Sequence, residues 1–442
     1  MPPTTATPKV PPPPRRHSRA TLPLAVLCLA AAAACVAWQS WDMFGPARRS
    51  MLQGYDDTFY YAWLPAVLID HSLDFSKPLG RSQTIEPANR AAWLAQKPTP
   101  AGYLPNKYPV GWALSSLPFF ALAQTFAPEE ATGYEPGTLM CVWCGQLLYA
   151  AAGLALGAAI VRRLLPAAPA WPAVLAVWLA SPLVYYQTAR VSMSHSLVFA
   201  LSMAVFMCTL QVEEGDRRRR TWAALGFFCA MLVITRNVSV VYLAFPLWAL
   251  VRHLRSWNAA AWLAIGGAGP ACLQLLAWKF LFGSWIYYSY GGERFDFTHL
   301  HIMQTLFSPR HGWFYWHPLL LAGIAGFLAW AWRQPVGRPW VVSLAATLLL
   351  NAAWPEWWYG SSFGNRGYEV STFFAMLGFA WLLAVSADRP VLRRALAAAA
   401  GGAVAWNLII LVLFLTRSIS RVDAVTYLDV VRVLAHGGAG PH

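Results

Sequence analysis

Residues 396–415 read LAAAAGGAVAWNLIILVLFL, twenty consecutive positions without a charged side chain. A helix of this length spans roughly 30 Å, the thickness of the hydrocarbon core of a bilayer. Ten further apolar runs occur at 22–41, 139–161, 171–186, 195–212, 222–234, 238–251, 259–282, 313–332, 340–353 and 370–385. The pattern predicts an all-α polytopic membrane protein with about 11 transmembrane helices, within a range of roughly 10–13.

The composition excludes an ordinary water-soluble enzyme. Of 442 residues, 57% are hydrophobic and 12% are charged, whereas a soluble domain carries about 25% charged residues. The formal net charge of +14 is also found in nucleic-acid-binding proteins, but membrane proteins collect basic residues on their cytoplasmic loops. We therefore expect membrane lipids as partners and no nucleic acid.

The apolar segment 110–126 decides the topology because it contains Pro118 and precedes an acidic loop. If it lies along the membrane surface and does not cross, every short basic cluster falls on one side, as the positive-inside rule requires. These clusters are Arg15, Arg16 and Arg19; Arg162 and Arg163; Arg217–Arg220; Arg252 and Arg255; Arg333 and Arg338; and Arg389, Arg393 and Arg394. The predicted location is the inner (plasma) membrane, with a cytoplasmic N-terminus.

Most carboxylates and histidines then lie on the extracytoplasmic side, where we expect the active site. A Pro-rich, basic tail at 1–19 is predicted to be disordered, and a transmembrane domain covers 20–415. Three loops face outward: 42–137, which includes the interfacial helix 110–126, then 283–312 and 354–369. The segment 416–442 forms a short extracytoplasmic tail that can fold as one amphipathic helix.

Two adjacent carboxylates, Asp56 and Asp57, follow the first span in an aromatic setting that includes Tyr55 and Tyr60. A carboxylate at the membrane surface is poorly solvated, and burial or a nearby cation shifts its pKa in the way typical of catalytic positions. The same residues can equally cap the N-terminus of a helix that begins here.

Three basic side chains on these loops can bind phosphate: Lys107 before Pro109, Arg310 beside His311, and Arg366 after a glycine-containing turn. Lys107 can instead extend its amine to the lipid headgroups, and Arg236 can anchor a short helix to them. The histidine spacings match no compact ligand pattern, so the sequence predicts no metal site.

Taken in order, these pieces resemble the GT-C superfamily of membrane glycosyltransferases, which includes protein O-mannosyltransferases and the lipid A aminoarabinose transferase. The matching features are the acidic pair after span one, Lys107-Tyr108-Pro109 before a juxtamembrane helix, Ser308-Pro309-Arg310-His311-Gly312, and the turn from Ser362 to Arg366. The resemblance covers most of residues 20–415. Where many relatives carry a carboxylate at the outer start of a later span, this chain has His195.

The resemblance implies a GT-C-like bundle and transfer of a sugar from a polyprenyl-monophosphate donor to a hydroxyl of an extracytoplasmic acceptor. Asp56 would act as general base in an inverting displacement, with Asp57 orienting the loop or the acceptor. Lys107, Arg310 and Arg366 would stabilise the phosphate leaving group. Contacts with the acceptor or sugar would come from Tyr55, Tyr60, His195, Glu293 and His311, with no cofactor required and no divalent metal indicated.

Two other classes remain open on the sequence. A lipid or glycolipid transporter would also expose charged residues at span ends, but it predicts functional ionisable groups near mid-membrane. An O-antigen ligase or polymerase would share the compartment and would use a diphosphate-linked donor.

Overall fold

The computed structural model describes Leu52 and residues 55–82, 87–253 and 257–436. In these ranges all regular secondary structure is helical. The α-helices are α1 (Tyr55–Leu68), α2 (Ser76–Arg81), α3 (Pro87–Leu94), α4 (Gly111–Gln124), α5 (Pro136–Leu164), α6 (Ala170–Leu179), α7 (Leu183–Tyr186), α8 (His195–Glu213), α9 (Arg219–Thr235), α10 (Ala244–His253), α11 (Trp257–Phe282), α12 (Ile302–Phe307), α13 (Trp313–Trp316), α14 (Leu319–Arg333), α15 (Arg338–Ala353), α16 (Ser371–Val385), α17 (Pro390–Leu415) and α18 (Tyr427–Ala435). Short 3-10 helices cover Asn237–Leu243, Pro335–Gly337 and Arg366–Tyr368.

The helices confirm the all-helical class but not the count of about 11 spans. Five described helices are long and apolar enough to cross a membrane: Pro136–Leu164, His195–Glu213, Trp257–Phe282, Pro335–Ala353 and Pro390–Leu415. Shorter apolar helices occupy Ala170–Leu179, Leu319–Arg333 and Ser371–Val385. The predicted tail 1–19 and first span 22–41 lie outside the described residues.

Proline divides two of the predicted spans. The run 171–186 is broken between α6 and α7, where Pro182 is the N-cap of the second piece, and the run 313–332 is broken between α13 and α14 at Pro318. A proline disfavours helical geometry in the residue before it, and His317 accordingly has φ −130° and ψ 71°. Each predicted span is therefore a helix with a shorter helical piece at one end.

The segment 110–126, predicted to lie along the membrane surface, forms the helix α4; its location at the surface stays a prediction. Its 14 residues span about 21 Å, which is too short to cross the roughly 30 Å hydrocarbon layer. The Val110 N–H donates to the Gln274 side chain over 3.0 Å, and Gly111 lies directly against the backbone of Ile234 and Thr235. These contacts fix the start of α4 against α9 and α11, and with it the position of Lys107 and Tyr108.

Helix α8 is the centre of the bundle, because 89% of its apolar stretch is buried, the largest share among the five long helices. It packs between α5 and α9. Its 19 residues extend about 28 Å, so its two ends mark two opposite faces of the molecule. His195 begins the helix at one face and Glu213 ends it at the other.

Helices α9 and α11 approach each other so closely that glycine is required at their contact. A Cβ at Gly266 would overlap the Ala223 carbonyl oxygen, and one at Gly226 would overlap the Leu263 carbonyl oxygen. Small residues of this kind let transmembrane helices pack backbone against backbone.

We expect Gly266→Ala to lower the free energy of unfolding in detergent by about 1–3 kcal/mol, because the two helices must separate. Gly269→Ala on the same helix is the matched control, since a Cβ there meets nothing within 4 Å and alanine favours the helix. Equal denaturant stability of both variants would contradict the close contact.

Candidate functional site

A cavity of about 1980 Å³ opens at the face where α8 begins. Its walls come from all three loops that the sequence predicted to be functional, and from the segment after α17. Six of the predicted site residues line it: Asp56, Tyr60, Lys107, His195, Glu293 and Arg366. The cavity therefore brings together predicted residues that lie up to 310 positions apart in the sequence.

Asp56 lies in the first turn of α1 and faces the cavity with 24% of its side chain exposed. Its Oδ2 is 3.0 Å from Arg366 Nη2, and its Oδ1 accepts a hydrogen bond from the Tyr108 hydroxyl. Burial raises the pKa of Asp56, but Arg366 and the Tyr108 hydrogen bond outweigh burial, so the pKa lies below its usual value. Asp56 is consequently an ionised carboxylate held by an arginine from another loop.

Asp57 has a different environment, because its side chain is completely buried. Its Oδ2 lies 3.1 Å from Arg190 Nη2 and accepts a hydrogen bond from Ser192, while its Oδ1 accepts from the Thr58 N–H. Asp57 therefore joins α1 to the segment before α8. Both hypotheses for the acidic pair fit the structure: the residues occupy the first turn of a helix, and Asp56 alone opens to the cavity.

Lys107 and Glu293, predicted for different roles, form an ion pair at the cavity wall. The ammonium also lies over the rings of Tyr108 and Tyr290, at 5.5 and 5.3 Å from their centroids. The Ser289 hydroxyl donates to the Lys107 carbonyl over 2.6 Å. The first and second loops are thus joined through Lys107.

Arg310 and His311 lie outside the cavity lining. The Arg310 guanidinium stacks on Trp358 at 3.8 Å and its Nε donates to the Val422 carbonyl over 2.8 Å. His311 is fully buried, with Nδ1 2.8 Å from the Trp358 carbonyl oxygen. Burial lowers the pKa of His311 to about 4, so the neutral ring donates its Nδ1–H to that carbonyl. This turn connects the second loop to the third loop and to the C-terminal segment.

Tyr60 lines the cavity beside Asp56 and packs on Tyr108, with ring centroids 4.7 Å apart. Burial raises its pKa to about 12, so its hydroxyl stays protonated and can donate to a ligand oxygen. The side chain of Tyr55 lies outside what the structure describes.

A buried cluster of Arg236, Glu369 and His195 was not identified as a unit from the sequence. Arg236 Nη1 lies 3.0 and 3.2 Å from the two Glu369 carboxylate oxygens, and His195 Nδ1 lies 3.1 Å from Glu369 Oε2. Burial raises the pKa of Glu369, but Arg236 and His195 lower it by more than burial raises it, so Glu369 is ionised. Its signal in the sequence was a lone carboxylate directly before the apolar run 370–385, where an ionisable residue is unusual.

The structure also bears on metal binding. Within the described ranges, no group of three or more His, Cys, Asp or Glu side chains could hold a metal ion. The expectation that no divalent metal is needed stays a prediction.

We expect Glu369→Gln to lower the free energy of unfolding by about 2–4 kcal/mol, because Arg236 would keep its buried charge without a counter-charge. Glu356→Gln is the control: Glu356 lines the same cavity but is exposed, so the change should stay within about 0.5 kcal/mol. Denaturant titration in detergent micelles compares them, and equal stability would show that the cluster does not stabilise the fold.

No protein-family model matches the chain, and no curated protein matches it. Among solved structures, the chain is similar to two crystal structures of ArnT from Cupriavidus metallidurans, one in the apo state and one bound to undecaprenyl phosphate. Both align with a TM-score of 0.48 over 84% of this chain, at 15% and 14% identity. This chain spans 60% and 61% of the length of those chains. ArnT is a lipid A aminoarabinose transferase of the GT-C type.

Proposed function

We propose that this protein is an integral membrane glycosyltransferase that moves a sugar from a polyprenyl-monophosphate carrier to a hydroxyl of an extracytoplasmic acceptor. The observation that carries the proposal is the position of Asp56. It is an ionised carboxylate that opens into a large cavity and is surrounded there by fixed cations. A base beside an anion-binding wall is the combination that glycosyl transfer from a phosphate needs.

The cations support a phosphate-bearing donor. Lys107, Arg236 and Arg366 line the cavity near Asp56, and each is positioned by a carboxylate from another loop or helix. Charges held in this way need little rearrangement to stabilise the negative charge that grows on a leaving phosphate. Arg310 is not part of this wall, because its guanidinium is engaged by Trp358 and Val422. We therefore assign the donor phosphate to Lys107 and Arg366.

The reaction would be a single displacement with inversion. The acceptor oxygen forms a bond to the anomeric carbon while the bond from that carbon to the phosphate oxygen breaks, and Asp56 takes the acceptor proton. The products are the glycosylated acceptor and polyprenyl phosphate. Tyr60 and His195, on the same wall, would contact the sugar or the acceptor. Asp57 would hold α1, and therefore Asp56, in register with Arg190.

The cavity's location favours this function over transport. Its ionisable groups gather at the end of α8 where His195 lies, whereas a transporter would need them near the middle of the bundle.

We expect Asp56→Asn to reduce sugar transfer at least about 100-fold, because the amide cannot accept the proton. Purified protein in nanodiscs would be incubated with radiolabelled polyprenyl-phosphate sugars and a membrane extract as acceptor source. Undecaprenyl phosphate, the compound bound in one ArnT structure, is the first carrier to test. Glu356→Gln serves as the matched control, since it alters an exposed carboxylate of the same cavity.

Equal turnover of wild type and Asp56→Asn would exclude Asp56 as the base. Consumption of a diphosphate-linked oligosaccharide, with no turnover of any monophosphate donor, would assign the protein to the ligase class instead.

The pH dependence provides a separate test of Asp56. The base works when ionised, and its lowered pKa places the acid limb of kcat/KM below the ordinary carboxylate range. Arg366→Gln removes a positive charge that lowers the pKa of Asp56, while burial still raises it. The pKa of Asp56 therefore rises, and the acid limb moves to higher pH. Arg417→Gln, which removes an exposed arginine from the same cavity, should leave the limb in place. An unmoved limb in Arg366→Gln would contradict the role of Asp56.

A further inference from the structure

A second cavity of about 680 Å³ lies at the other end of the central helix. It forms where α8 ends, α9 begins, and α10 and α11 meet. Its walls carry Arg217, Arg219, Trp222, Arg252, His253 and Asn258, none of which takes part in the site around Asp56. Because α8 extends about 28 Å from His195 to Glu213, the two cavities lie at opposite surfaces of the membrane-spanning bundle.

The histidine of this pocket contacts an arginine and a carboxylate. Arg217 Nη2 lies 3.0 Å from His253 Nδ1, and a guanidinium only donates, so Nδ1 accepts. That Nε2 lies 3.1 Å from Glu213 Oε1. Arg217 also donates to the Val212 carbonyl over 2.9 Å. His253 therefore lies between Arg217 and Glu213, the carboxylate at the end of α8.

The pocket has more positive than negative charge. Three guanidinium groups line it, those of Arg217, Arg219 and Arg252, and Arg252 pairs with the carboxylate of Glu213, 2.8 Å from its Nη1. Across the part of the chain that the structure describes, no carboxylate lies within ion-pair distance of Arg219; its guanidinium instead lies 5.8 Å from the Trp262 ring centroid. The arrangement leaves a fixed positive charge in a concave, aromatic-walled site.

The surroundings of the pocket are apolar. Val251 and Trp257, on the two helices that flank it, have 88% and 91% of their surface exposed, and Leu247 and Ile265 are exposed on the same helices. Arg252 lies 5.7 Å from the ring centroid of Trp248, a residue type that concentrates at the membrane–water boundary. A ligand that fits both features has an anionic head for the arginines and hydrocarbon for these helix faces.

We propose that this pocket binds the phosphodiester headgroup of an anionic membrane lipid, with the acyl chains lying along α10 and α11. Basic pockets between transmembrane helices on the cytoplasmic side are suited to such headgroups. The volume exceeds what one phosphate fills and accommodates a glycerophosphate group. The site is independent of the glycosyl-transfer reaction, so its test needs no activity measurement.

The test uses the purified full-length chain in detergent, with lipid binding followed by native mass spectrometry and by the thermal unfolding midpoint. The probes are phosphatidylglycerol, phosphatidylcholine, diacylglycerol and inorganic phosphate. We expect phosphatidylglycerol to remain bound and to raise the midpoint, with a smaller effect of phosphatidylcholine, whose ammonium the arginines repel. Inorganic phosphate at the same concentration should have no effect, because it lacks the apolar part.

The variants separate this pocket from the general basic surface. Arg219→Gln should weaken phosphatidylglycerol binding about fivefold, the loss expected for one guanidinium beside an anionic lipid. Arg220→Gln is the matched control, since Arg220 is the next residue on α9, is exposed and does not line the pocket. Arg219→Lys should retain most of the binding. Among the described residues Arg219 has no ion-pair partner to lose, and the lipid-free unfolding midpoint verifies that the variant is folded.

Three outcomes would overturn the proposal. Equal weakening by Arg219→Gln and Arg220→Gln would mean that lipid responds to surface charge alone. Equal stabilisation by inorganic phosphate would identify a site for a free anion. Equal binding of diacylglycerol would show that the apolar helix faces retain lipid without the arginines.

Discussion

The ion pair between Asp56 and Arg366 is the contact on which the candidate site depends. It connects the first turn of α1 to the short 3-10 helix that precedes α16, two segments separated by about 300 residues. Two further ion pairs also join distant segments: Asp57 pairs with Arg190, and Glu369 pairs with Arg236. Buried charges are costly unless they are paired, so these pairs are satisfied only when the loops are brought together.

Pairing also determines which cations remain available to a ligand. Arg190 is committed to the fully buried Asp57, and Arg310 to an indole ring and a backbone carbonyl. Lys107 is held by Glu293, whose side chain is 43% exposed, so that pair is well solvated and exchanges its partner at low cost. Among the predicted phosphate-binding residues, Lys107 and Arg366 therefore combine a fixed position with access to the cavity, whereas Arg310 acts as a connector of loops.

Sequence patterns predicted the features that are local. The twenty-residue apolar runs predicted the helical class, and the apolar segment 110–126 predicted the helix α4. Asp56 was singled out because it forms an acidic pair with Asp57 directly after a predicted span. The ion-pair partners of the carboxylates could not be predicted from the sequence, because nothing near Glu369 in the chain indicates Arg236, and nothing near Asp57 indicates Arg190. Likewise Arg310 and Arg366 look alike as loop arginines; only the packing of Trp358 and Val422 separates them.

The pairing of Asp56 with Arg366 has a consequence for the order of events at the proposed site. The Arg366 guanidinium stabilises the ionised Asp56 carboxylate and makes it a weak base. In the proposed reaction, a donor phosphate bound to Arg366 would bring its own negative charge and share the guanidinium, so the pKa of Asp56 would rise. The carboxylate would then be a stronger base when the sugar donor is present. An acceptor hydroxyl would be activated beside a bound donor and not in its absence, which links the two substrates through one arginine.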